Sequence, residues 1–118
     1  KIKDYGLEEY LSNFEILSPQ GFLEMNIFER EAKLIITDSG GIQKEAYLHK
    51  TPCITLRDET EWIELVESKW NYLVNTNDKK DILNAIDNQI KFNTKSSHKD
   101  FYGDGYSAST IVKKITEF

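Results

Sequence analysis

Short apolar runs alternate along this 118-residue chain with segments in which apolar residues recur every three or four positions. The apolar runs predict strands, and the strongest of them contains Leu34, Ile35 and Ile36. Such an unbroken run indicates a strand that is buried on both faces, as in a parallel sheet. The predicted strands comprise residues 14–17, 33–37, 52–56 and 72–74.

Helical periodicity predicts the elements that lie between these strands. In the clearest example, Ile82, Ala85, Ile86 and Ile90 share one face of a helix. Polar residues ahead of three such segments predict N-caps. Three of the predicted helices comprise residues 4–11, 22–32 and 41–49. Three further helices are predicted from these N-caps: residues 60–68, capped by Thr60, a helix capped by Asn77 or Asp78, and a last helix capped by Ser107. Residues 92–100 are predicted to form a loop.

This alternation predicts the fold class α/β, with an open parallel sheet and flanking helices. Open sheets of this kind bind ligands beyond the carboxyl ends of their strands. Gln20 follows the first predicted strand, Ser39 follows the second and Arg57 follows the third. We therefore expect these three positions to lie at one edge of the sheet.

The segment that joins the second predicted strand to its helix carries the clearest candidate chemistry. Gly40 and Gly41 let the backbone approach a bulky anion, and the following helix presents unpaired N–H groups and the positive end of its dipole. Ser39 can donate its hydroxyl to a phosphate oxygen or cap the helix, and both roles are compatible. Glu45 lies about one turn above Gly41 on the same face, where a carboxylate can accept hydroxyl groups. Phosphate beside hydroxyls is the chemical outline of a nucleotide sugar, although paired glycines are also typical of a plain tight connection.

Composition narrows the class of protein. With 39% apolar and 30% charged residues, residues 1–118 are predicted to form one globular domain, and no apolar run approaches the roughly 20 residues that cross a bilayer. The net charge of −5 argues against nucleic-acid binding, which needs a basic surface. Cys53 is expected to be a buried, inert thiol, which fits a cytoplasmic setting. His49 and His98 are predicted to lie at the surface, and the sequence carries no metal-site or Walker-type pattern.

Four segments of the chain match, in order and spacing, the motifs of one known family. Residues 37–46 read TDSGGIQKEA where that family usually has TDSGGIQEEA, so Lys44 is the departure within this segment. Residues 18–22 are similar to its xPQxY/F segment, residues 51–61 to its KPVLVLRDxTE segment and residues 101–105 to its NPYGDG element. On these motifs, most of the chain resembles the non-hydrolysing UDP-N-acetylglucosamine 2-epimerases.

The resemblance implies a two-domain fold in which this chain and the N-terminal domain have different functions. The family is similar to two-domain, GT-B-type proteins whose Rossmann-like halves close over a UDP-sugar, and this chain looks like most of the C-terminal half. The implied reaction converts UDP-N-acetylglucosamine to UDP-N-acetylmannosamine by elimination and re-addition of UDP, requires no cofactor and serves cell-surface polysaccharide biosynthesis. The catalytic carboxylates and the family's Gly-His-Arg segment are expected ahead of Lys1, in the N-terminal domain of the same parent protein. No catalytic residue is therefore expected in this chain, which is predicted to be inactive alone, and a homodimer is left open.

The resemblance also implies roles for single residues. Residues matching Ser39, Gly40 and Gly41 hold the diphosphate in the family, and the residue matching Glu45 binds the ribose hydroxyls. Gln20 matches a position near the edge of the uracil ring.

Four further positions have less defined roles. Met25 lies where the family often has an aromatic residue near the base, and it either packs in the core or offers a main-chain contact to uracil. Trp62 replaces the arginine of the family's TERPE motif, so a charge contact to the ligand is lost or supplied elsewhere. Arg57 and Glu61 match the family and either brace their loop or touch the ligand. Two alternative functions stay open: a UDP-sugar glycosyltransferase domain and a non-catalytic nucleotide-binding module.

Overall fold

The structure, a computed structural model, describes residues 2–92, 94 and 98–117. Its first element is a short 3₁₀-helix, Glu8–Asn13. The elements that follow are α1 (Phe22–Glu31), β1 (Ile35–Thr37), α2 (Gly40–His49), β2 (Cys53–Thr55), α3 (Ile63–Glu67), β3 (Asn71–Leu73), α4 (Lys79–Ile90) and α5 (Ser107–Thr116). Part of the predicted loop 92–100, namely residues 93 and 95–97, lies outside the described residues.

The described strands form one parallel sheet in the order β1-β2-β3. Ile35 lies opposite Cys53, and Cys53 lies opposite Asn71. Helices α2 and α3 connect these strands in turn, so all three strands end at the same edge of the sheet. The predicted α/β fold with an open parallel sheet and flanking helices is confirmed.

The strand that is buried on both faces is β2 rather than β1. All three residues of β2 are buried, and Ile54 is fully inaccessible to solvent. In β1, Ile36 is 46% exposed, so the expectation that this strand is covered on both faces was wrong. The physical reason is position, because β1 is an edge strand of the described sheet and β2 has a neighbour on each side.

Two predictions near the start of the chain are also corrected. Residues 14–17 are described but do not form a strand, and Phe14 and Ile16 are 69% and 65% exposed. A strand requires hydrogen bonds to a neighbour, and none of the described strands lies alongside this segment. The helix predicted over residues 4–11 is instead a turn followed by the 3₁₀-helix, because Gly6 takes a φ of 62°, which a continuous right-handed helix does not allow.

The N-termini of the helices show which of the predicted N-caps are correct. Ser39 caps α2, and Asp78 caps α4 by accepting hydrogen bonds from the main-chain N–H groups of Lys80 and Asp81, so Asp78 rather than Asn77 is the cap. The other two predicted caps were wrong. Helix α3 starts only after Trp62, because the hydroxyl of Thr60 accepts from the N–H of Trp62 and donates to Gln43, and does not reach the N–H groups of the helix. Ser107 is the first residue of α5 rather than its cap.

Two clusters of buried side chains form the core of the described structure. One contains Ile54, Val74 and Ala85, and the other contains Tyr47, Leu65 and Trp70, with Trp62, Phe92 and Tyr102 packed against it. Cys53 is 1% exposed, and burial raises the pKa of its thiol to about 12, so the predicted inert thiol agrees with the structure. Within the described part of the chain, no helix is both long and apolar enough to cross a bilayer.

Candidate anion-binding site

The turn between β1 and α2 is held by hydrogen bonds of its own short side chains. The main-chain N–H of Ser39 donates to Oγ1 of Thr37 over 3.0 Å, and the Ser39 hydroxyl accepts from the N–H of Ile42 over 3.4 Å. Ser39 therefore has the predicted role of N-cap, and α2 starts directly at Gly40. Because the first N–H groups of a helix have no acceptor within the helix, this end of α2 offers donors and partial positive charge to an anion.

The space above Gly41 is open and is flanked by two polar side chains. A Cβ atom built on Gly41 would lie 3.8 Å from Oγ of Ser39 and 3.9 Å from Oε1 of Glu45. Both distances are ordinary van der Waals contacts, so no atom of the described chain blocks this space. The structure thus brings Ser39, Gly41 and Glu45 together as the sequence predicted, with the hydroxyl and the carboxylate on either side of the glycine.

The space beside Gly40 is occupied by the loop that follows β2. A Cβ atom built on Gly40 would lie only 2.4 Å from Oε1 of Glu61 and 3.7 Å from Nη1 of Arg57. Arg57 and Glu61 form an ion pair with an N–O distance of 3.6 Å. This ion pair therefore lies against the glycine pair and places a guanidinium group beside the start of α2.

Trp62 also stabilises the turn between β1 and α2. Its indole Nε1–H donates to the main-chain oxygen of Gly40 over 2.8 Å. The ammonium of Lys44 lies 4.8 Å from the centre of the Trp62 ring and 4.4 Å from that of Tyr102, which are cation–π distances. Lys44 and Trp62 both depart from the family motifs, and the structure places them in contact.

Tyr102 extends this cluster to α3. Its hydroxyl donates to Oε1 of Glu64 over 2.7 Å, and this hydrogen bond lowers the pKa of the Glu64 carboxyl. Burial, followed by the interaction with Glu64, raises the pKa of Tyr102 above its usual range. The segment that carries Tyr102 is thereby fastened beside α2 and α3.

We expect Lys44 and Trp62 to be energetically coupled. Lys44→Glu removes the cation–π contact, worth about 0.5–2 kcal/mol, and Trp62→Arg removes an aromatic ring and its hydrogen bond. The double variant restores opposite charges at the two positions, as in the family motifs, so its loss should be smaller than the sum of the single losses by about 1 kcal/mol. Urea unfolding of the wild type, the two single variants and the double variant measures this coupling. Strictly additive losses of unfolding free energy would show that the contact contributes nothing to stability.

A buried amide, missed by the sequence analysis, links the three parts of the site. Gln43 is 1% exposed, and its Nε2 donates to the main-chain oxygen of Ser39 over 3.3 Å. Its Oε1 accepts from the hydroxyl of Thr60 over 2.6 Å and from Nδ2 of Asn71 over 2.9 Å. Gln43 lies one turn before Ala46 and Tyr47 on the buried face of α2, and this helical spacing was the signal that could have identified it.

Gln20 and Met25 lie on the α1 side of the sheet. Nε2 of Gln20 donates to the main-chain oxygen of Ser18 over 2.7 Å, so its described hydrogen bonds stay within its own loop and do not reach the glycine pair. Met25 is half-buried and lines a shallow depression of about 280 Å³ with Thr37 and Ile42, next to the start of α2. No group of three or more His, Cys, Asp or Glu side chains suited to a metal ion occurs among the described residues.

The fold and the site together define a class of protein. An open parallel sheet carries, at the carboxyl edge of its strands, a helix start with two glycines, a capping serine and a carboxylate one turn above. This is the arrangement with which doubly wound α/β domains bind phosphorylated ligands.

Comparison with known proteins gives the family. The sequence model described as UDP-N-acetylglucosamine 2-epimerase matches residues 2–116, and the chain therefore belongs to this family. The chain is 46% identical over 116 residues to a UDP-N-acetylglucosamine 2-epimerase homolog of Methanococcus maripaludis, covering 98% of this chain and 30% of that protein. It is 41% identical to the UDP-N-acetylglucosamine 2-epimerase of Methanocaldococcus jannaschii, covering 98% of this chain and 32% of that protein.

Solved structures agree with this assignment. The structure of the Methanocaldococcus jannaschii enzyme superposes with a TM-score of 0.84 at 38% identity, covering 99% of this chain and 33% of that one. The same enzyme in complex with UDP-GlcNAc and UDP gives a TM-score of 0.82, also at 38% identity, over 99% of this chain and 32% of that one. The chain thus spans about a third of the length of the relatives that it matches.

Proposed function

We propose that this chain is the UDP-binding part of a UDP-N-acetylglucosamine 2-epimerase. The observation that carries the proposal is the open space above Gly41, which Ser39 and Glu45 flank at the start of α2. Hydrogen-bond donors for a diphosphate and an acceptor for sugar hydroxyls lie there within one helical turn of each other. The solved relative in complex with UDP-GlcNAc and UDP supports the same ligand class for this chain.

In this proposal, the diphosphate lies against the N–H groups of Gly40 and Gly41 and the hydroxyl of Ser39. Glu45 accepts the ribose hydroxyls, and Gln20 lies near the uracil edge, with Met25 beside the base. Each hydrogen bond to a charged group contributes about 1.5–3 kcal/mol, so three of them account for micromolar affinity. The dipole of α2 adds about 0.3–1 kcal/mol.

The cation expected at position 62 has a substitute in this chain. Trp62 carries no charge and is hydrogen-bonded to Gly40, so it cannot replace the arginine of the family motif. Arg57 lies close to Gly40 with its guanidinium partly exposed, and its partner Glu61 is more exposed still. We therefore assign the charge contact with the diphosphate to Arg57 and the bracing of the loop to Glu61.

The proposed reaction of the parent protein is the interconversion of UDP-N-acetylglucosamine and UDP-N-acetylmannosamine. A second domain supplies the carboxylates that move the C2 proton, while the donors of this chain stabilise UDP as it leaves with its negative charge. We propose a cytoplasmic enzyme of cell-surface polysaccharide biosynthesis, for which a homodimer stays open. The isolated chain is expected to bind UDP without turning over the UDP-sugar, and turnover by these 118 residues would contradict this division of labour.

Calorimetric titration with UDP tests the proposal, with two substitutions of the same glycine. Gly41→Trp fills the open space and is expected to weaken binding at least about 100-fold, the equivalent of two strong hydrogen bonds. Gly41→Ala adds only a single Cβ to the same space and should weaken UDP binding far less than Gly41→Trp. Because alanine is a better helix former, this control should also raise the free energy of unfolding by up to about 1 kcal/mol. Equal binding by the wild type and Gly41→Trp would remove UDP from this site.

A further inference from the structure

Helix α1 carries a buried carboxyl group without a visible hydrogen-bond partner. Glu29 is the buried residue of α1, at 3% exposure, although Phe22 and Leu23 on the same helix are more than 70% exposed. Neither Oε1 nor Oε2 of Glu29 is reached by a hydrogen-bond donor among the described residues. An ionised carboxylate in this position is unfavourable, because burial removes its hydration and no hydrogen-bond donor among the described residues replaces it.

The groups that face Glu29 come from α2. Oε2 of Glu29 lies 3.8 Å from Nε2 of His49, and the charge of Glu45 acts on it from one turn earlier in α2. Gly41, Glu45 and His49 follow each other at intervals of four, so they share the face of α2 that is turned towards α1. His49 was predicted to be a surface residue but is half-buried, and its Nε2 also lies 3.2 Å from Oδ1 of Asn26.

A proton explains how two carboxyl groups can be neighbours here. Two ionised carboxylates are both acceptors and repel each other, whereas a protonated carboxyl donates to an ionised one. Burial, then the charge of Glu45, then the hydrogen bond with Glu45 all raise the pKa of Glu29. Glu29 is the member of the pair that lies deeper, so it retains the proton.

We propose that Glu29 is a positioning residue of the nucleotide site: its protonated carboxyl donates a hydrogen bond to Glu45 and holds that carboxylate beside Gly41. One oxygen of Glu45 is then engaged with Glu29, and the other accepts hydroxyl groups of the sugar attached to the diphosphate. The inference rests on the proposed UDP site, and it adds a residue from α1 that touches no part of the ligand.

The shared proton makes both binding and stability depend on pH in a defined direction. When the pH rises through the raised pKa of Glu29, the pair becomes doubly charged, Glu45 is repelled from its place and UDP affinity falls. The stability contributed by the proton follows the same course: it is fully present below the ordinary glutamate pKa of 4.5 and is lost as the pH rises through the raised value. A protonated His49 opposes this effect, because it favours the ionised form of Glu29.

Titrations with UDP over a range of pH separate this role from a purely structural one. Glu29→Gln keeps a donor for Glu45 and cannot ionise, so it should bind within about threefold of the wild type but without the fall in affinity at rising pH. Glu29→Leu lacks the donor and should bind about tenfold more weakly, the loss of one hydrogen bond to a charged group. UDP itself also titrates, but this affects the wild type and every variant equally and therefore cancels when their affinities are compared. His49→Gln measures how much His49 contributes to the pH dependence of UDP affinity. Identical pH profiles for the wild type and Glu29→Gln would overturn the inference.

A ligand-free measurement keeps this inference distinct from the proposed function. In the chain with ¹³C-labelled glutamate carboxyls, the signal lost in Glu29→Gln should titrate above the ordinary glutamate pKa of 4.5, and it should move towards that value in Glu45→Gln. If UDP binds but the two carboxyls titrate independently, the inference fails and the UDP site stands. If the carboxyls are coupled but neither the wild type nor Gly41→Ala binds UDP, the proposed function fails, and the positioning role in nucleotide binding fails with it.

Discussion

Trp70→Ala is expected to lower the free energy of unfolding by about 3–5 kcal/mol, the largest effect of any single substitution considered for this chain. Trp70 is 1% exposed, and its ring packs edge-on against Tyr47 and Phe92 with centroid distances of 5.3 Å in both cases. Removal of the indole leaves a cavity between α2 and β3 that the surrounding rings cannot fill without moving. Since small domains are stable by about 5–15 kcal/mol, the loss is a large share of the total.

Urea unfolding followed by far-UV circular dichroism measures this loss, and Leu83→Ala is the matched control. Leu83 is a large apolar residue that is 51% exposed in the middle of α4, where alanine is a good helix former. Its replacement should change the free energy of unfolding by no more than about 0.5 kcal/mol. Similar losses for both variants would show that Trp70 is not part of the packed core. Because Tyr47 follows Glu45 closely on α2, Trp70→Ala should also weaken UDP binding.

Gln43→Met is expected to lower the free energy of unfolding by about 2–4 kcal/mol and to weaken UDP binding as well. Methionine has nearly the volume of glutamine but cannot accept from Thr60 and Asn71 or donate to the oxygen of Ser39. The amide of Asn71 is then left in the interior with one partner fewer, and unsatisfied buried donors cost about 1–3 kcal/mol each. Loss of the bond to Thr60 releases the loop that carries Arg57, which is the reason for the effect on the ligand.

Another buried glutamine provides the control for this substitution. Gln89 is 4% exposed and donates one hydrogen bond, to the main-chain oxygen of Lys69 over 3.1 Å, while its Oε1 has no partner among the described residues. Gln89→Met therefore breaks one bond where Gln43→Met breaks three, and it should cost about 1 kcal/mol with unchanged UDP affinity. If both variants were equally destabilised, burial of the side chain rather than its hydrogen bonds would explain the effect.

Much of the site could be predicted because it is local in sequence. Ser39 caps α2 through the N–H of Ile42, and Glu45 lies over Gly41 because both lie on one helix. Such relations depend on helix geometry over a single turn, which the residue order determines. The three strands that were correctly placed are likewise the apolar runs that lie between helices, and their parallel arrangement follows from those connections.

Burial could not be predicted at the same level, because it depends on neighbours distant in the chain. Residues 14–17 are apolar enough for a strand but have no strand beside them, and Ile36 is exposed because β1 is an edge of the described sheet. Glu29 and Gln43 are ordinary polar residues in the sequence, yet both are almost inaccessible in the structure. The partners that allow Gln43 to be buried, Thr60 and Asn71, come from other parts of the chain, and their positions are set by tertiary packing.

The sequence by itself therefore determined the order of strands and helices, the glycine turn with its serine cap, and the carboxylate one turn above it. The tertiary structure decided that Trp62 supports Gly40, that Lys44 lies against Trp62, and that Glu29 of α1 is buried beside His49 of α2. The physical reason is range: hydrogen bonds within one helical turn follow from backbone geometry, whereas contacts between separate elements form only when the sheet and its helices pack together.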